Sequence, residues 1–386
     1  MFGMGLKMSD NIEISVVLPC LNEEGAIGGC IEKIKEVFIR DGLKGEIIVA
    51  DNGSTDHSRE ISELKGAVVV YEPFQGYGAA YLRGLEAVRG KYIVIADSDN
   101  TYDFYSISSF LEKLRQGYDF VMGSRFKGKM HKKAMPWMNR YIGNPILSGM
   151  CRLFFRTRLS DIHCGMRGFT LEAYQKMKLK SLGMEFATEM VVAALQNNLK
   201  ICEIPINYYP RQGESKLKPF SDAWRHVRFM LLYSPAWLYF IPGILGMVVG
   251  ISLSLFLLKG PFLFLGRYWG THLMVFASLL CILSYQIFHM GVFAHSFAIR
   301  EGFLKADSLT SFFQRHFTLE KGLILGGIVF LAGSGVTLFI FIEWFSKNFG
   351  ALYRIRESIF AMTLIIIGLQ TVFSSFFISL LFLKRK

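Results

Sequence analysis

Beyond about Arg228 the chain stops reading as a water-soluble protein. Four apolar stretches follow one another: Phe229 to Leu258, Trp269 to Phe297, Gly322 to Phe345 and Ile359 to Leu383. Each holds at least the ~20 mostly apolar residues that carry an α-helix across a bilayer. A buried helix of a soluble core is seldom apolar for so long and on every side. With 386 residues there is room for about two domains. The expectation is therefore a soluble domain over residues 1–228 and an all-α transmembrane domain of four helices over 229–386, at about 229–258, 269–297, 322–345 and 359–383.

Charge adds a direction. Residues 1–13 lack the basic start and apolar core of a secretory signal, so the soluble domain is expected to stay in the cytoplasm. Four spans would return the C-terminus to that side, making a multi-pass protein with both termini cytoplasmic. Lys384, Arg385 and Lys386 fit this, as do Arg300, Lys305, Arg315 and Lys321 in the middle loop. Lys259, Arg267, Lys347, Arg354 and Arg356 lie in the outer loops, so the bias is shallow. A net charge of +12 suits a partner of anionic lipid headgroups. Nucleic acid is the other common partner of basic chains, but no helix-turn-helix, zinc-finger or RNP pattern occurs. The six cysteines contain no C-x-x-C pair, which argues against a zinc site or a disulfide framework and for buried thiols in a reducing compartment.

The first part alternates strand and helix. Ile14 to Leu18, Glu46 to Ala50, Ala67 to Tyr71 and Tyr92 to Ala96 are short apolar runs that suit buried parallel strands. After the first, Ile27, Ile31, Ile34 and Phe38 fall on one helical face. This alternation predicts a doubly wound α/β sheet with helices on both faces. Ligands bind such sheets beyond the carboxyl ends of the strands. Every polar cluster of the domain follows a strand end. Asp97-Ser98-Asp99 follows the fourth strand, and its two carboxylates can both reach one divalent cation. Mg²⁺ and Mn²⁺ prefer oxygen ligands and are often shared with substrate phosphates, which points to an enzyme that handles a diphosphate. Asp51-Asn52-Gly53-Ser54 follows the second strand and reads either as a site or as a turn with a helix cap. Gly76 and Gly78 would let the backbone approach a ligand, or simply make a tight turn.

Taken in order, Pro19-x-x-Asn22-Glu23, Asp51 to Asp56, Asp97-Ser98-Asp99, Gly123-Ser124-Arg125, Asp161-x-x-x-Gly165-Met166-Arg167 and Arg211-x-Gly213-x-Ser215-Lys216 resemble family 2 glycosyltransferases. Within them the chain is similar to the polyprenyl-phosphate hexosyltransferases, the dolichyl-phosphate mannose and glucose synthase group. The resemblance spans roughly residues 12–230. It implies a GT-A domain that binds a nucleotide sugar, UDP-glucose as first choice and GDP-mannose as second, and passes the hexose to a dolichyl or undecaprenyl phosphate. It assigns the donor to Pro19, Leu21, Asn22, Glu23, Asp51, Asn52, Gly78, Asp97, Ser98 and Asp99, with Mg²⁺ or Mn²⁺ on Asp97 and Asp99. The family usually has a second aspartate where Asn52 stands, so base selectivity does not transfer. Some relatives carry a glutamine ligand where Thr101 stands. Asp161 takes the place of the family's candidate catalytic aspartate, with Arg125 beside it.

A phosphate monoester is already largely a dianion at neutral pH, so such an acceptor needs a cationic cradle more than a base. Arg125, Arg140, Arg211 and Lys216 are the candidates for that cradle. Asp161 then orients the acceptor, a cation or a hydroxyl, or is structural. His163 reads as a packing or hydrogen-bonding residue. Pro136 to Phe155 and Ser221 to Leu232 mix aromatic, aliphatic and basic residues as interfacial helices do. The alternatives are a processive polysaccharide synthase and an inactive transporter or scaffold. The first normally carries Q-x-x-R-W, which Gln314-Arg315-His316-Phe317 does not match. A homo-oligomer is compatible with the four spans.

Overall fold

The computed structural model describes residues 12–212, 219–300 and 318–382. The chain divides into two compact units, at Met230 and Leu231.

The first unit is built on a seven-stranded sheet. In chain order its elements are β1 (Ile14–Cys20), α1 (Glu24–Arg40), β2 (Gly45–Asp51), α2 (Ser58–Leu64), β3 (Val68–Tyr71), α3 (Tyr77–Glu86), β4 (Tyr92–Ile95), α4 (Ile107–Arg115), β5 (Phe120–Ser124), α5 (Asn144–Phe155), β6 (Arg167–Thr170), α6 (Leu171–Met177), α7 (Phe186–Gln196), β7 (Ile201–Pro205) and α8 (Pro219–Leu232). The strand order is β3-β2-β1-β4-β6-β5-β7. The sheet is parallel except for β6, which runs antiparallel between β4 and β5. Consecutive apolar residues in β1 are buried because helices cover both faces. Ile27, Ile31 and Ile34 of α1 pack on one face together with Phe110, Leu111 and Leu114 of α4. Tyr81 and Leu85 of α3, Leu147 of α5, Met190 of α7 and Met230 of α8 pack on the other. Since β1 pairs with both β2 and β4, the loops after these three strands meet at one edge of the sheet.

Six cysteines are free, five of them buried. Burial pushes the thiols of Cys30, Cys151 and Cys164 up to about 12, the behaviour of inert core groups.

Among its described residues the second unit contains four helices long and apolar enough to cross a membrane, at Ala236–Leu258, Thr271–Arg300, Leu319–Ser346 and Ile355–Leu381. We call them α9 (Ile241–Leu258, preceded by one wide turn over Ala236–Phe240), α10 (Thr271–Arg300), α11 (Leu319–Ser346) and α12 (Ile355–Phe382). The first begins later than the Phe229 expected from sequence. Phe229 to Leu232 end α8 instead, and Phe229 and Met230 are buried. Pro235 explains the break: it lacks an N–H and disfavours helical geometry at Ser234. α11 and α12 approach closely at glycines. A Cβ on Gly326 would lie 2.8 Å from the Gly368 carbonyl, and one on Gly333 2.7 Å from that of Ala361. Small residues at crossings are the usual way membrane helices gain dispersion contact.

Candidate active site

The loops after β1 and β2 are stitched to each other. Asn22 adopts a left-handed φ of 51°, which asparagine tolerates. Its Oδ1 accepts the Thr55 N–H at 2.7 Å, and its own N–H donates to Ser54 Oγ at 3.0 Å. Glu23 N–H donates to Ser58 Oγ at 2.7 Å and Glu24 N–H to Asp56 Oδ2 at 3.1 Å. The start of α1 is thus capped from the neighbouring loop, with a carboxylate at its positive end. Leu21 is half-buried and Pro19 lends its carbonyl to Ser98 Oγ at 2.6 Å. Asp51 is buried and turns its carboxylate to the Ser54 N–H at 3.0 Å.

Three residues expected to meet the donor also tie the chain to itself. The Asn52 amide donates to the carbonyls of Glu72 and Phe74 at 3.1 and 2.8 Å and accepts from Gly76 N–H at 2.8 Å. It latches the 72–76 loop, and this explains why an aspartate does not stand here: a carboxylate cannot donate to two carbonyls. Ser98 ties its strand end to β1. Gly78 does allow a close approach, but of the chain to itself. A Cβ there would lie 2.1 Å from the Ser181 carbonyl, and one on Gly76 2.3 Å from that of Leu182.

Asp97 and Asp99 close the end of β4. Asp97 Oδ1 accepts from Tyr77 Oη at 3.0 Å and Tyr81 Oη at 3.2 Å. Burial, and then the neighbouring Asp99 carboxylate, push the Asp97 carboxyl up to about 6. Asp99 is held by Thr101, whose N–H and Oγ1 reach Oδ1 at 3.1 and 2.6 Å. Thr101 is therefore a support for Asp99 and has its hydroxyl proton committed. Gly165 is required beside this pair, because a Cβ there would lie 2.6 Å from Asp97 Oδ2. Arg211 sits against the pair. Its guanidinium bonds Glu23 and lies 3.4 Å from Asp99 Oδ2. Arg211 Nε is buried with no acceptor among the described residues.

A second buried ionic group lies after β5. Arg125 grips Asp161 with two N–H groups, Nε to Oδ2 at 2.7 Å and Nη2 to Oδ1 at 2.8 Å, and its backbone N–H adds a third bond at 3.1 Å. Asp161 is 0% exposed. It holds a cation, the Arg125 guanidinium. Glu203 supports the turn below by accepting from Ser160 N–H and Asp161 N–H at 2.9 and 3.1 Å. Lys127 Nζ lies 2.6 Å from its other oxygen. Arg125 also stands over the Tyr208 ring, 5.3 Å from its centroid. Arg167, equally buried, donates to the carbonyls of Ile162, Cys164 and Ala187 and so fixes the His163 loop to α7.

Three of the four expected cradle cations lie among the described residues. Arg125 is locked on Asp161 and Arg211 between Glu23 and Asp99. Arg140 lies in the wide turn Asn139–Gly143 before α5, its guanidinium 5.3 Å above the Tyr141 ring, with no ion pair among the described residues. Lys216, with Gly213 and Ser215, lies outside the described residues. Tyr77 and Tyr81 were missed in the sequence, although their spacing of four on a helix puts both hydroxyls on one face. His163 packs edge-on to His226 of α8 at 4.3 Å between centroids, and both its ring nitrogens are buried with no partner among the described residues.

Comparison with known proteins gives the family. The profile described as glycosyl transferase family 2 matches residues 15–178, and that described as glycosyltransferase family 2 C-terminal transmembrane region matches residues 292–382. The low-salt glycan biosynthesis hexosyltransferase Agl6 of Haloferax volcanii is 39% identical over 366 residues, 94% of this chain and 87% of that protein. A dolichyl-phosphate hexose transferase of the same organism is 32% identical over 211 residues, 54% of this chain and 88% of its own. Among solved structures, glucosyl-3-phosphoglycerate synthase from Mycobacterium tuberculosis, crystallised with Mn²⁺, UDP and glucosyl-3-phosphoglycerate, overlaps 57% of this chain and 78% of its own at 22% identity. Its TM-score is 0.44, too slight a likeness to carry an argument.

Proposed function

This chain belongs to glycosyltransferase family 2 and is a membrane protein, and on that premise we propose that it transfers a hexose from a nucleotide-diphosphate sugar to a polyprenyl phosphate, with inversion. UDP-glucose is the first donor to test and GDP-mannose the second. The names of the Haloferax relatives support hexosyl transfer, and one of them supports a dolichyl-phosphate acceptor.

The observation that carries the reading is the crowding of Asp97 and Asp99 at the end of β4, opposite Arg211. Two carboxylates in one desolvated corner repel each other, and a divalent cation relieves that repulsion. Among the described residues no group of three or more His, Cys, Asp or Glu could hold a metal, so substrate phosphate and water would supply the remaining ligands. Asp97 and Asp99 would hold Mg²⁺ or Mn²⁺, which when bound supplies Lewis-acid stabilisation of the departing diphosphate.

The chain's own residues then do four things. Tyr77 and Tyr81 fix one oxygen of Asp97, leaving the other beside Gly165. Thr101 fixes Asp99 in the same way. Arg211, with Nε uncommitted, offers N–H donors to phosphate oxygens in competition with Glu23 and Asp99. Asp161 holds the Arg125 guanidinium charged and immobile. In the reaction an acceptor phosphate oxygen forms a bond to the anomeric carbon while the bond to the nucleoside diphosphate breaks, and its electron pair leaves on the terminal phosphate. No proton needs to be removed, consistent with a buried, ion-paired Asp161. A sugar α-linked to its nucleotide becomes β-linked to lipid phosphate.

The test is a donor screen of the purified full chain with labelled nucleotide sugars, polyprenyl phosphate and Mg²⁺ or Mn²⁺. The expected product is a lipid-linked hexose that requires the metal. Polymer formed without lipid acceptor, or tight donor binding without transfer, would overturn the proposal.

A further inference from the structure

α9 and α10 are joined by a hairpin of two short strands, β8 (Phe262–Phe264) and β9 (Arg267–Trp269). Phe262 pairs with Trp269, Leu263 with Tyr268 and Phe264 with Arg267. The foot of the hairpin is fixed. The Phe262 ring packs edge-on to Phe256 of α9 at 5.0 Å between centroids, and Arg356 of α12 donates to the Leu257 carbonyl at 3.1 Å. Trp269 Nε1 donates to the Phe264 carbonyl at 3.1 Å.

The rest of the hairpin is open and apolar. Leu263, Phe264, Leu265 and Tyr268 are 60, 56, 83 and 82% exposed. Arg267 is the one charged residue between Gly260 and Thr271. The turn adds a second observation. Leu265 and Gly266 have φ of 50° and 71°, the two left-handed residues that a tight hairpin turn of this twist requires. Asparagine or aspartate suits the first of these positions, and a leucine strains it. In water an asparagine would relieve that strain and be solvated. Leucine does neither, so the tip keeps an apolar side chain against the preference of its backbone.

The place of the hairpin in the chain decides what covers it. It links two consecutive spans, so both its ends lie at one face of the bilayer. Its open side continues the exposed apolar surface of those spans, Leu255 and Phe256 near the end of α9 and Val275 and Phe276 near the start of α10. The backbone bounds the depth. A two-stranded hairpin has two open edges, whose N–H and C=O groups hydrocarbon cannot satisfy. The strands therefore belong in the headgroup layer, where water reaches them. Arg267, Tyr268 and Trp269 are residue types that settle at that boundary.

We propose that the β8–β9 hairpin is an anchor seated in one leaflet, with its strands among the headgroups and Phe264 and Leu265 among the upper acyl carbons. Its partner is phospholipid acyl chain, and the contact fixes the depth of the bilayer face shared by α9 and α10. This rests on the membrane character of the chain and not on the transfer reaction.

The experiment uses the full chain in phosphatidylcholine nanodiscs, which leave both bilayer faces open to water. Leu265→Cys is labelled with an environment-sensitive nitrobenzoxadiazole dye, beside the parent chain, whose own six cysteines set the background. Quenching is compared between aqueous iodide and nitroxides carried on the lipid headgroup, at the fifth acyl carbon and at the twelfth. The dye is expected to emit to the blue, to be quenched most by the fifth-carbon nitroxide, and to be shielded from iodide several-fold relative to free dye. A dye on Leu263→Cys then reads the tip from a neighbouring position. Adding Leu265→Asn should lower its quenching by acyl nitroxide several-fold with helicity and thermal stability retained, whereas Leu265→Met should leave it unchanged. Iodide quenching equal to that of free dye would put the hairpin in water and overturn the proposal. A dye shielded from iodide and from every nitroxide would overturn it too, since a second copy of the chain would then cover the tip. Acyl-nitroxide quenching indifferent to Leu265→Asn would equally refute the role of the tip.

Discussion

At the scale of single residues, the site is a set of charges held both by near neighbours, as Asp99 is by Thr101, and by partners far away in sequence, as Asp161 is by Arg125. Asp99 is the carboxylate whose removal has the clearest consequence. Asp99→Ala is expected to abolish transfer and to weaken Mn²⁺ binding, read by calorimetry in the presence of nucleotide diphosphate. Retained turnover would remove the proposed metal role. Asp161 makes a different prediction because it is a structural partner. Asp161→Ala leaves the Arg125 guanidinium buried and unpaired, a situation that costs roughly 3–5 kcal/mol. Thermal melting should fall by several degrees, whereas the pH profile of any residual transfer should keep its shape. A base would instead lose the acidic limb of that profile. The D-x-D pair was legible in the sequence because spacing alone brings two carboxylates to one strand end. The Arg125–Asp161 grip was not, since 36 residues separate the partners and only the sheet brings them together. Asn52 shows the opposite failure. Its place in a ligand-binding motif was legible, but its amide is consumed by the 72–76 loop.

At the scale of elements, β1 to β4 could be read from their apolar runs, each ended by a polar cluster. β6 could not, because four residues starting with a buried arginine carry no strand period. Arg167 satisfies itself on three carbonyls, which no pattern in the sequence announces. α8 was legible as a mixed apolar and basic helix, but its anchor was not. His226 bonds Thr188 of α7 at 2.8 Å and packs on His163. Burial, opposed by Asp222 and Glu185 and reinforced by Arg167 and Arg225, pushes the His226 imidazole down to about 4. Burial, then His226, Arg125 and Arg167, push His163 well below the ordinary range. Both are neutral when folded, while in the unfolded chain they take up protons below about pH 6.5. The unfolded state then binds more protons, so stability rises with pH in this range and falls on acidification. From pH 6.5 toward 4, each histidine should remove roughly 1.4 kcal/mol per pH unit. Limited proteolysis between α7 and α8 across this range checks it, and His226→Gln should flatten the dependence.

At the scale of the whole molecule, the chain combines a water-soluble sheet with helices made for hydrocarbon, and the boundary chemistry lies on the sheet unit's own surface. α5 buries Leu147, Ser148 and Cys151 against the core, yet its outer side and the turn before it expose Trp137, Tyr141, Ile146 and Leu153. A helix on an aqueous surface would normally show polar residues there. Arg140, Arg152 and Arg156 are interleaved with these side chains, the composition that binds an anionic interface. On the proposed function this face presents the sheet unit to the membrane that carries the acceptor, while the nucleotide sugar arrives from water. The two substrates should therefore respond differently to its loss. Trp137→Ser combined with Tyr141→Ser and Ile146→Ser removes exposed groups only, so folding should be unchanged by circular dichroism. KM for a long-chain polyprenyl phosphate in anionic vesicles should rise at least several-fold. KM for the nucleotide sugar should hold, and so should activity toward a short, water-soluble acceptor phosphate. An equal rise in both KM values would mean that these residues shape the catalytic pocket, and an unchanged lipid KM would mean that the four helices alone deliver the acceptor.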